Sequence, residues 1–345
     1  MQTQILKGNV KRNIHFAVDV IRRGELVAFP TETVYGLGAD ATNKKAVAKI
    51  FTAKGRPHFD PLIVHFASIS MLESILKEIP DKARLLADSF WPGPLTLVLP
   101  KREGIPDIVT AGLPTVAVRI PQNKIALTLI KEARVPIAAP SANIFGRPSP
   151  TYADHVIEDL DGKIALILDG GPTQVGVEST VLDLTYSPPA ILRPGGVSQE
   201  SLEDVLGTVT VFSGMNEEAL KSPGQMKHHY APRAKVLLFR GKCLNRIITA
   251  MRETINKLNR GYNIGIMVPE EMRFQFRNEE VIFEGLGSFT DMNALAHNIY
   301  TKMRLLDNKR VSHILTLAPP EHGIGLAVYD RLFKAAGSQL IEVNR

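Results

Sequence analysis

The sequence predicts an α/β protein in which a mixed, twisted-sheet domain is followed by a smaller Rossmann-like α/β domain. The length of 345 residues corresponds to about two domains. Short apolar runs typical of strands alternate with segments of helical periodicity in both halves. Between the halves, residues 213–233 lose this periodicity and contain prolines, glycines and paired histidines.

Strand and helix patterns alternate through the first two hundred residues. The predicted strands read LVAF, LIVHF, LTLVLP, TVAVRIP, PIAAP, IALILDGG, STVLDLT and AILRPGG. The predicted helices are one capped by Asn13 and ended by Gly24, one capped by Asn43, 71–79, 82–90, IALTLIKEA and TYADHVIEDL. These elements form a mixed α/β sheet domain that ends near Phe212.

The second half repeats the alternation on a smaller scale. Its predicted strands are AKVLLFR, NIGIMV, VIFEGL and HILTLA, and its predicted helices cover about 244–258, 290–308 and 324–336. We therefore expect a first domain over 1–212, a linker over 213–233 and a second domain over 234–345.

The composition excludes several classes of protein. Hydrophobic residues make up 44% and charged residues 22%, as in ordinary globular domains. No apolar run approaches the ~18 residues of a membrane span, and the N-terminal MQTQILKGNVKRN has no signal-peptide pattern. The single cysteine, Cys243, allows neither an internal disulfide nor a cysteine-based metal cluster. We expect a cytoplasmic protein.

The charge balance is modestly basic, with 41 basic and 35 acidic residues and a net charge of +6. This excess suits anionic ligands such as nucleotides and permits weak contact with tRNA, without demonstrating either. The familiar phosphate loops G-x-x-x-x-G-K-[ST] and G-x-G-x-x-G are absent. A nucleotide would therefore be held by other groups.

Polar groups collect where the predicted strands end. The stretch LVAFPTETVYGLGAD leads from a buried strand into hydroxyls and glycines, which fits either a plain turn or a ligand site at a strand end. Lys54 and Arg56 follow a helix, where they could be solvated caps or cations aimed at phosphates. His65 lies within a strand, as many core histidines do.

Arg119 lies inside the apolar strand TVAVRIP, where an unpaired charge would be costly. Its partner would be an internal carboxylate or a ligand carboxylate, and the sequence leaves both open. The segments PSANIFGRPSP, GGPTQVGVEST and LRPGG add further hydroxyls, glycines and an arginine at strand ends. Together these groups predict a concave, positively charged site for a small carboxylate ligand and a polyphosphate.

Taken in order, these motifs resemble those of the threonylcarbamoyl-adenylate synthases. The matching segments are PTETVYGLG, KGRPxxxPLIVH, AVRIP, PSANxxGxxSPT, GGPxxxGxESTVxD and LRPGG. The segment SPGQMKHHYAP and the region after it resemble the longer, two-domain form of that family. The resemblance covers nearly the whole chain.

The resemblance implies a reaction and its partners. L-threonine and bicarbonate or CO₂ would give a carbamate, which would attack the α-phosphate of ATP with Mg²⁺ present and release pyrophosphate. A separate threonylcarbamoyl-transfer complex would then modify tRNAs that read codons beginning with A. We expect a monomer that acts in this pathway.

The resemblance also implies the site residues. L-threonine would be bound by Thr33, His65, Arg119, the main chain at Ala139, and Ser179. ATP would be bound by Lys54, Arg56, Asp60, Thr115, Ser141, Asn143, Ser149, Arg193 and Tyr230. Lys54 and Arg56 would be the catalytic cations, Tyr230 would belong to a lid formed by the linker, and no protein ligand for the metal is assigned.

Two positions depart from the family pattern, which usually has Asn at position 60 and a small residue at position 145. Asp60 would place a carboxylate near phosphates, which is unfavourable unless it contacts the metal or a cation. Phe145 would alter the pocket rim. Two other functions fit less well: an RNA-binding module without catalysis, and an enzyme that transfers carbamoyl from carbamoyl phosphate.

Overall fold

The computed structural model describes residues 2–73, 75–212, 229–258 and 261–343. Contacts between residues divide the chain into two units. Among the described residues, the first unit comprises 2–145 and 149–212, and the second comprises 146–148 and 229–343. Most of the predicted linker, 213–228, lies outside the described residues, so its limits stay a prediction. Its last residues, 229–233, are grouped with the second unit.

The first unit is built on one mixed sheet. Its described strands are β1 (Gln4–Lys7), β2 (Val27–Pro30), β3 (Tyr35–Asp40), β4 (Ile63–His65), β5 (Leu95–Pro100), β6 (Thr115–Arg119), β7 (Ile137–Ala138), β8 (Leu166–Asp169), β9 (Thr180–Asp183), β10 (Ala190–Arg193) and β11 (Thr210–Val211). They are ordered β1-β8-β2-β3-β7-β4-β6-β5-β9-β10-β11. Parallel and antiparallel pairs both occur, for example β4 with β6 and β2 with β3. The mixed-sheet fold class is confirmed.

Helices cover this sheet and supply its hydrophobic core. They are α1 (Lys11–Arg22), α2 (Lys44–Lys54), α3 (Ile69–Leu72), α4 (Asp81–Phe90), α5 (Asp107–Thr110), α6 (Lys124–Ala133), α7 (Ala153–Leu160) and α8 (Gln199–Leu206). The apolar faces of α1 and α6 share one core cluster with Phe29 of β2 and Leu168 of β8. Burying such amphipathic faces is the main source of helix stability in a globular protein.

Two local predictions for the first unit are wrong. Val10, not Asn13, is the N-cap of α1, and the Asn13 side chain donates to the carbonyl of Lys7 instead. The helix predicted over 71–79 ends at Leu72, because Leu76 forms an isolated antiparallel bridge with Lys101. An extended residue that pairs with a strand cannot continue a helix.

The second unit has a five-stranded sheet in which every pair is parallel. Its strands are β12 (Lys235–Gly241), β13 (Ile264–Val268), β14 (Ile282–Gly285), β15 (His313–Leu317) and β16 (Ile341–Val343), in the order β14-β13-β15-β12-β16. Its helices are α9 (Leu244–Leu258), α10 (Met292–Asn308) and α11 (Gly325–Ala335), with a 3₁₀ helix at Glu270–Phe276. A parallel sheet whose strands are connected through helices is the Rossmann-like arrangement predicted from the sequence.

Across the described ranges, no helix is both long enough and apolar enough to cross a membrane.

Candidate functional site

The hydroxyls of PTET first of all build a tight connection between β2 and β3. These two strands pair antiparallel, with Pro30 opposite Tyr35. The Thr31 hydroxyl donates to the carbonyl of Val34 at 2.7 Å and lies 2.8 Å from the Thr33 hydroxyl. A side chain that forms hydrogen bonds with the main chain of its own turn stabilises the conformation of that turn. The turn holds Thr33 in place for a second contact.

That second contact is Arg119, whose guanidinium is almost fully buried at the end of β6. Nη2 lies 2.5 Å from Oε1 of Glu32, Nη1 donates to the Thr33 hydroxyl at 3.0 Å, and Nε donates to the carbonyl of Gly93 at 3.1 Å. Of the two partners that the sequence left open, the structure therefore contains the internal carboxylate. A substrate carboxylate, if it binds here, meets an arginine whose charge is already balanced.

His65 lies on β4 directly beside Arg119 on β6, and residues paired in parallel strands point to the same sheet face. The imidazole is buried, and its edge contacts Phe29 with ring centroids 6.4 Å apart. Burial, and then the positive charge of Arg119, lower the pKa of His65 to about 3. The ring is therefore neutral near pH 7 and can accept or donate hydrogen bonds without adding charge.

Ser179 links the end of β10 to the central strands. Its hydroxyl lies 2.8 Å from the Thr96 hydroxyl on β5. Nη2 of Arg193 donates to the Ser179 carbonyl at 3.0 Å and to its hydroxyl at 3.2 Å. Gly195 packs so closely that a Cβ there would lie 2.3 Å from the carbonyl carbon of Ser179. The ESTV and LRPGG motifs thus form one tightly packed unit.

Lys54 ends α2 with its side chain turned into the PSAN loop. Its ammonium donates to the carbonyls of Ser141 and Asn143, both at 2.5 Å. The Lys54 carbonyl in turn accepts from the N–H of Phe145 at 2.9 Å. Burial, and then the positive charge of Arg56, hold the pKa of Lys54 well below its usual range. In this structure Lys54 organises the loop that the sequence assigned to ATP.

Arg56 is fixed by the residues that follow it. Nε donates to the carbonyl of Asp60 at 3.1 Å and Nη2 to that of Pro61 at 2.9 Å. Nη2 also lies 2.8 Å from Oδ1 of the fully buried Asp60, close enough for an ion pair but not aligned as a hydrogen bond. Burial raises the pKa of Asp60, and the nearby Arg56 opposes this shift. The unusual carboxylate at position 60 therefore has a cation as its neighbour.

Phe145, the second departure from the family pattern, lies beside the same arginine. The Arg56 guanidinium carbon is 5.8 Å from the centroid of the Phe145 ring, within reach of a cation–π contact. The large residue at this position thus packs next to a predicted catalytic cation.

Three other residues predicted to bind substrates, Ser149, Ala139 and Thr115, each lie in a different local environment. The Ser149 hydroxyl forms a short hydrogen bond with Oε1 of Glu178. The N–H of Ala139 donates to the carbonyl of Ile63 at 2.9 Å, so this N–H is already used within the sheet. Thr115 begins β6 and Arg119 ends it, about 13 Å apart along the strand. Within the described ranges no hydrogen bond joins Thr115 to the other predicted site residues.

Tyr230 is grouped with the second unit. Its ring is buried, 4.8 Å from the Arg331 guanidinium carbon and 5.8 Å from the Tyr300 ring. The residue has a left-handed backbone with φ of 61°. Its role in a lid stays a prediction, because residues 213–228 lie outside the described part of the chain.

Hydrogen bonds join the motifs of the first unit. The carbonyl of Glu32 accepts from the N–H groups of Gln174 and Val175, and the carbonyl of Tyr35 accepts from Ala142. Glu32, Thr96 and Glu178 have no role predicted from the sequence. Glu32 and Glu178 lie inside the quoted motifs PTET and GVEST. Each is a carboxylate next to a predicted binding residue, and this position was the signal in the sequence that could have identified them. Thr96 carried no such signal, because it is a β-branched residue in an apolar strand.

The described residues offer little for a resident metal ion. No group of three or more His, Cys, Asp or Glu side chains in them could hold one. Mg²⁺ needs no such group when it is bound through substrate phosphates and waters.

Sequence comparisons match both units to known protein families. A family model described as "Telomere recombination" matches residues 19–195, and one described as "Threonylcarbamoyl-AMP synthase, C-terminal domain" matches residues 197–337. A threonylcarbamoyl-AMP synthase of Pyrococcus abyssi is 47% identical over 334 residues, with 96% of each chain covered. One of Bacillus subtilis is 46% identical over 328 residues, with 94% of this chain and 93% of the relative covered.

Solved structures show the same similarity over the full length. The crystal structure of P. abyssi Sua5 complexed with L-threonine matches with a TM-score of 0.93 and 45% identity, covering 99% of each chain. The similarity therefore includes both units of the chain.

Proposed function

Because the chain belongs to the threonylcarbamoyl-AMP synthase family, as its motifs predicted, we propose that it makes L-threonylcarbamoyl-adenylate from L-threonine, bicarbonate or CO₂, and ATP. The observation that carries this proposal is the buried cluster of Arg119, Glu32, Thr33 and neutral His65. This cluster presents a positively charged side chain, a negatively charged side chain and neutral polar groups to a small amino acid. The other sequence motifs contribute three cationic side chains, Lys54, Arg56 and Arg193, which are suited to bind a polyphosphate.

The chemistry proceeds by one displacement at phosphorus. The amine of L-threonine loses a proton and bonds to the carbon of CO₂, which gives a carbamate anion. A carbamate oxygen then bonds to the α-phosphorus of ATP, and the bond from that phosphorus to the bridging oxygen breaks. Pyrophosphate leaves with the electron pair. Because the nucleophile is already an anion, positioning and charge stabilisation supply most of the catalysis.

L-threonine is placed by the cluster around Arg119. The guanidinium has five N–H groups, and acceptors among the described residues take three of them. The remaining two are donors for the substrate carboxylate. Thr33, His65 and Ser179 supply hydroxyl and imidazole groups, and the carbonyl of Ala139 supplies an acceptor.

ATP is placed by Lys54, Arg56 and Arg193, with Ser141, Asn143 and Ser149 as hydrogen-bonding groups. The depressed pKa of Lys54 comes from burial and from Arg56. An approaching triphosphate stabilises the charged ammonium, which then offsets charge in the transition state. Asp60 balances one of these cations when no nucleotide is bound. Mg²⁺ would enter with ATP, would be held mainly by phosphate oxygens rather than by side chains, and would offset their charge.

The product serves a later step. In this proposal a separate transfer complex moves the threonylcarbamoyl group to adenosine in tRNAs that read codons beginning with A, and the protein works in the cytoplasm. The net charge of +6 is compatible with weak tRNA contact. The linker that includes Tyr230 acts as a lid that keeps water from the carbamate and the adenylate.

Pyrophosphate release tests the proposal. The purified protein is incubated with ATP and Mg²⁺, with and without L-threonine and bicarbonate. Release that requires both substrates is expected. Pyrophosphate release that does not depend on L-threonine contradicts the proposal and favours an RNA-binding or carbamoyl-transfer function. The variant Arg240→Gln, which changes an exposed ion pair in the second unit, is expected to release pyrophosphate with the same substrate requirement as the parent protein.

A further inference from the structure

Glu32 is a buried carboxylate of the first unit to which the sequence assigned no role. Its side chain is 2% exposed. Oε1 lies 2.5 Å from Nη2 of Arg119, and Oε2 accepts from the N–H of Gln122 at 3.0 Å. Its carbonyl accepts from the N–H groups of Gln174 and Val175 at 3.1 and 2.8 Å. The residue is thus held at both carboxylate oxygens and at its main chain.

These contacts set the direction of the Arg119 donors. Glu32, Thr33 and Gly93 take one N–H each from Nη2, Nη1 and Nε. A guanidinium is planar, so three such contacts fix the plane and both remaining N–H directions. Without Glu32, the partners of Arg119 that remain within the described ranges are the neutral Thr33 hydroxyl and Gly93 carbonyl, which restrain the guanidinium less strongly.

Glu32 also sets the charge of the cluster. Arg119 contributes one positive charge, Glu32 contributes one negative charge, and the buried His65 is neutral. The sum is zero, and opposite charges lie side by side. Such an arrangement is matched to an α-amino acid, whose ammonium and carboxylate also sum to zero. A cluster with a bare arginine would favour simple anions instead.

We propose that Glu32 is a positioning residue for L-threonine, holding Arg119 so that its two remaining N–H groups meet the substrate carboxylate. The inference rests on the proposed function of this site and adds a residue that acts through Arg119. Its role concerns the amino acid and not the nucleotide.

The test compares Glu32→Gln with the parent protein and with Glu25→Gln. The control makes the same chemical change in an exposed ion pair with Lys49. L-threonine binding is measured by calorimetry, and KM is measured separately for L-threonine and ATP. Glu32→Gln is expected to weaken L-threonine binding by about tenfold or more, while KM for ATP changes less than about twofold. Glu25→Gln is expected to match the parent.

Two results overturn the inference. One is unchanged L-threonine affinity in a folded Glu32→Gln protein. The other is an equal rise in KM for both substrates, as a general loss of folded enzyme or a distorted site would give. If Glu32→Gln does not fold, Glu32→Asp serves, because it keeps the charge and withdraws the carboxylate by one methylene. It is expected to show the same selective loss, and parent-like L-threonine affinity in that variant also overturns the inference.

The parent protein separates this inference from the proposed function. If the parent neither binds L-threonine nor releases pyrophosphate in response to it, the proposed function fails. If the parent does both and the Glu32 variants match it, only the role of Glu32 fails.

Discussion

His65 lies beside Arg119 on the neighbouring strands β4 and β6. Burial, and then the charge of this guanidinium, lower the pKa of His65 and keep the imidazole uncharged. A protonated ring would be buried without water beside a guanidinium. In the proposed function, the neutral ring is one of the polar groups that L-threonine meets. The same feature has a consequence for stability, because the unfolded chain can protonate this histidine and the folded protein resists doing so.

We predict that His65 makes the protein less stable as the pH falls from about 6.5 toward 3. The pKa of His65 is about 3 in the folded state, against a usual value of 6.5. The unfolded state therefore binds the extra proton in this window, and each pH unit costs up to about 1.4 kcal/mol of unfolding free energy. Urea unfolding at pH 6.5 and 4.5 measures the loss.

The variant His65→Gln is expected to lose about 2 kcal/mol less than the parent between these two pH values. His15→Gln is the control, since that side chain is 55% exposed. Identical pH dependence in the parent and in His65→Gln would show that the imidazole is not held neutral.

Gly195 is a second residue whose identity is dictated by its neighbours. A Cβ there would lie 2.3 Å from Ser179 C and Thr180 N and 2.4 Å from Glu178 O, all main-chain atoms. We predict that Gly195→Ala lowers the free energy of unfolding by about 1–3 kcal/mol or more. It should also weaken L-threonine binding, because relief of the clash must move Ser179.

The matched control is Gly36→Ala, where the nearest atom would be the Ala139 Cβ at 3.4 Å. This is an ordinary contact, so little change in urea stability is expected. A Gly195→Ala protein as stable as Gly36→Ala would contradict the packing described here.

At the scale of elements, α10 organises part of the second unit through one buried carboxylate near its end. Oδ2 of Asp307 accepts from the N–H of Arg233 at 2.9 Å, and Oδ1 accepts from the N–H of Ala234 at 3.1 Å. Arg147, from the segment 146–148, lies 3.4 Å from Oδ2. One helix residue thus fixes the chain that leads into β12.

We predict that Asp307→Ala destabilises the second unit by about 2–5 kcal/mol, because it removes the buried acceptor of two main-chain N–H groups and a carboxylate that faces the Arg147 guanidinium. Hydrogen exchange of the Arg233 and Ala234 amides is expected to become much faster. Glu321→Gln, in an exposed ion pair with Arg240, is the control. Unchanged protection of both amides in Asp307→Ala would contradict this role.

Elements with strong local signals could be predicted from the sequence. Asn43 caps α2 as expected, accepting from the N–H groups of Lys45 and Ala46. The helix predicted over about 244–258 matches α9, whose apolar spacing is regular. β3 was missed, because its YGLGAD sequence has two glycines and is a strand only through pairing with β2 and β7. Tertiary pairing of this kind has no local signal.

At the scale of the whole molecule, the α/β class and its two types of sheet could be predicted, because periodicity reports burial directly. The site residues were predicted largely from ordered motifs, and the structure brings Thr33 and Arg119 together as a contacting pair. The sequence could not predict which group pairs with each buried charged side chain. That Arg119 pairs with Glu32, and Lys54 with two carbonyls, depends on segments far apart in the chain.

In the proposed function, this chain joins L-threonine, a one-carbon unit and the adenylyl group of ATP into one molecule. The most direct measurement is the mass of the product formed from ATP, Mg²⁺, L-threonine and ¹³C-bicarbonate. We expect threonylcarbamoyl-adenylate that is one mass unit heavier than with ordinary bicarbonate, formed together with pyrophosphate. Adenylate products that carry neither threonine nor the ¹³C label would contradict it.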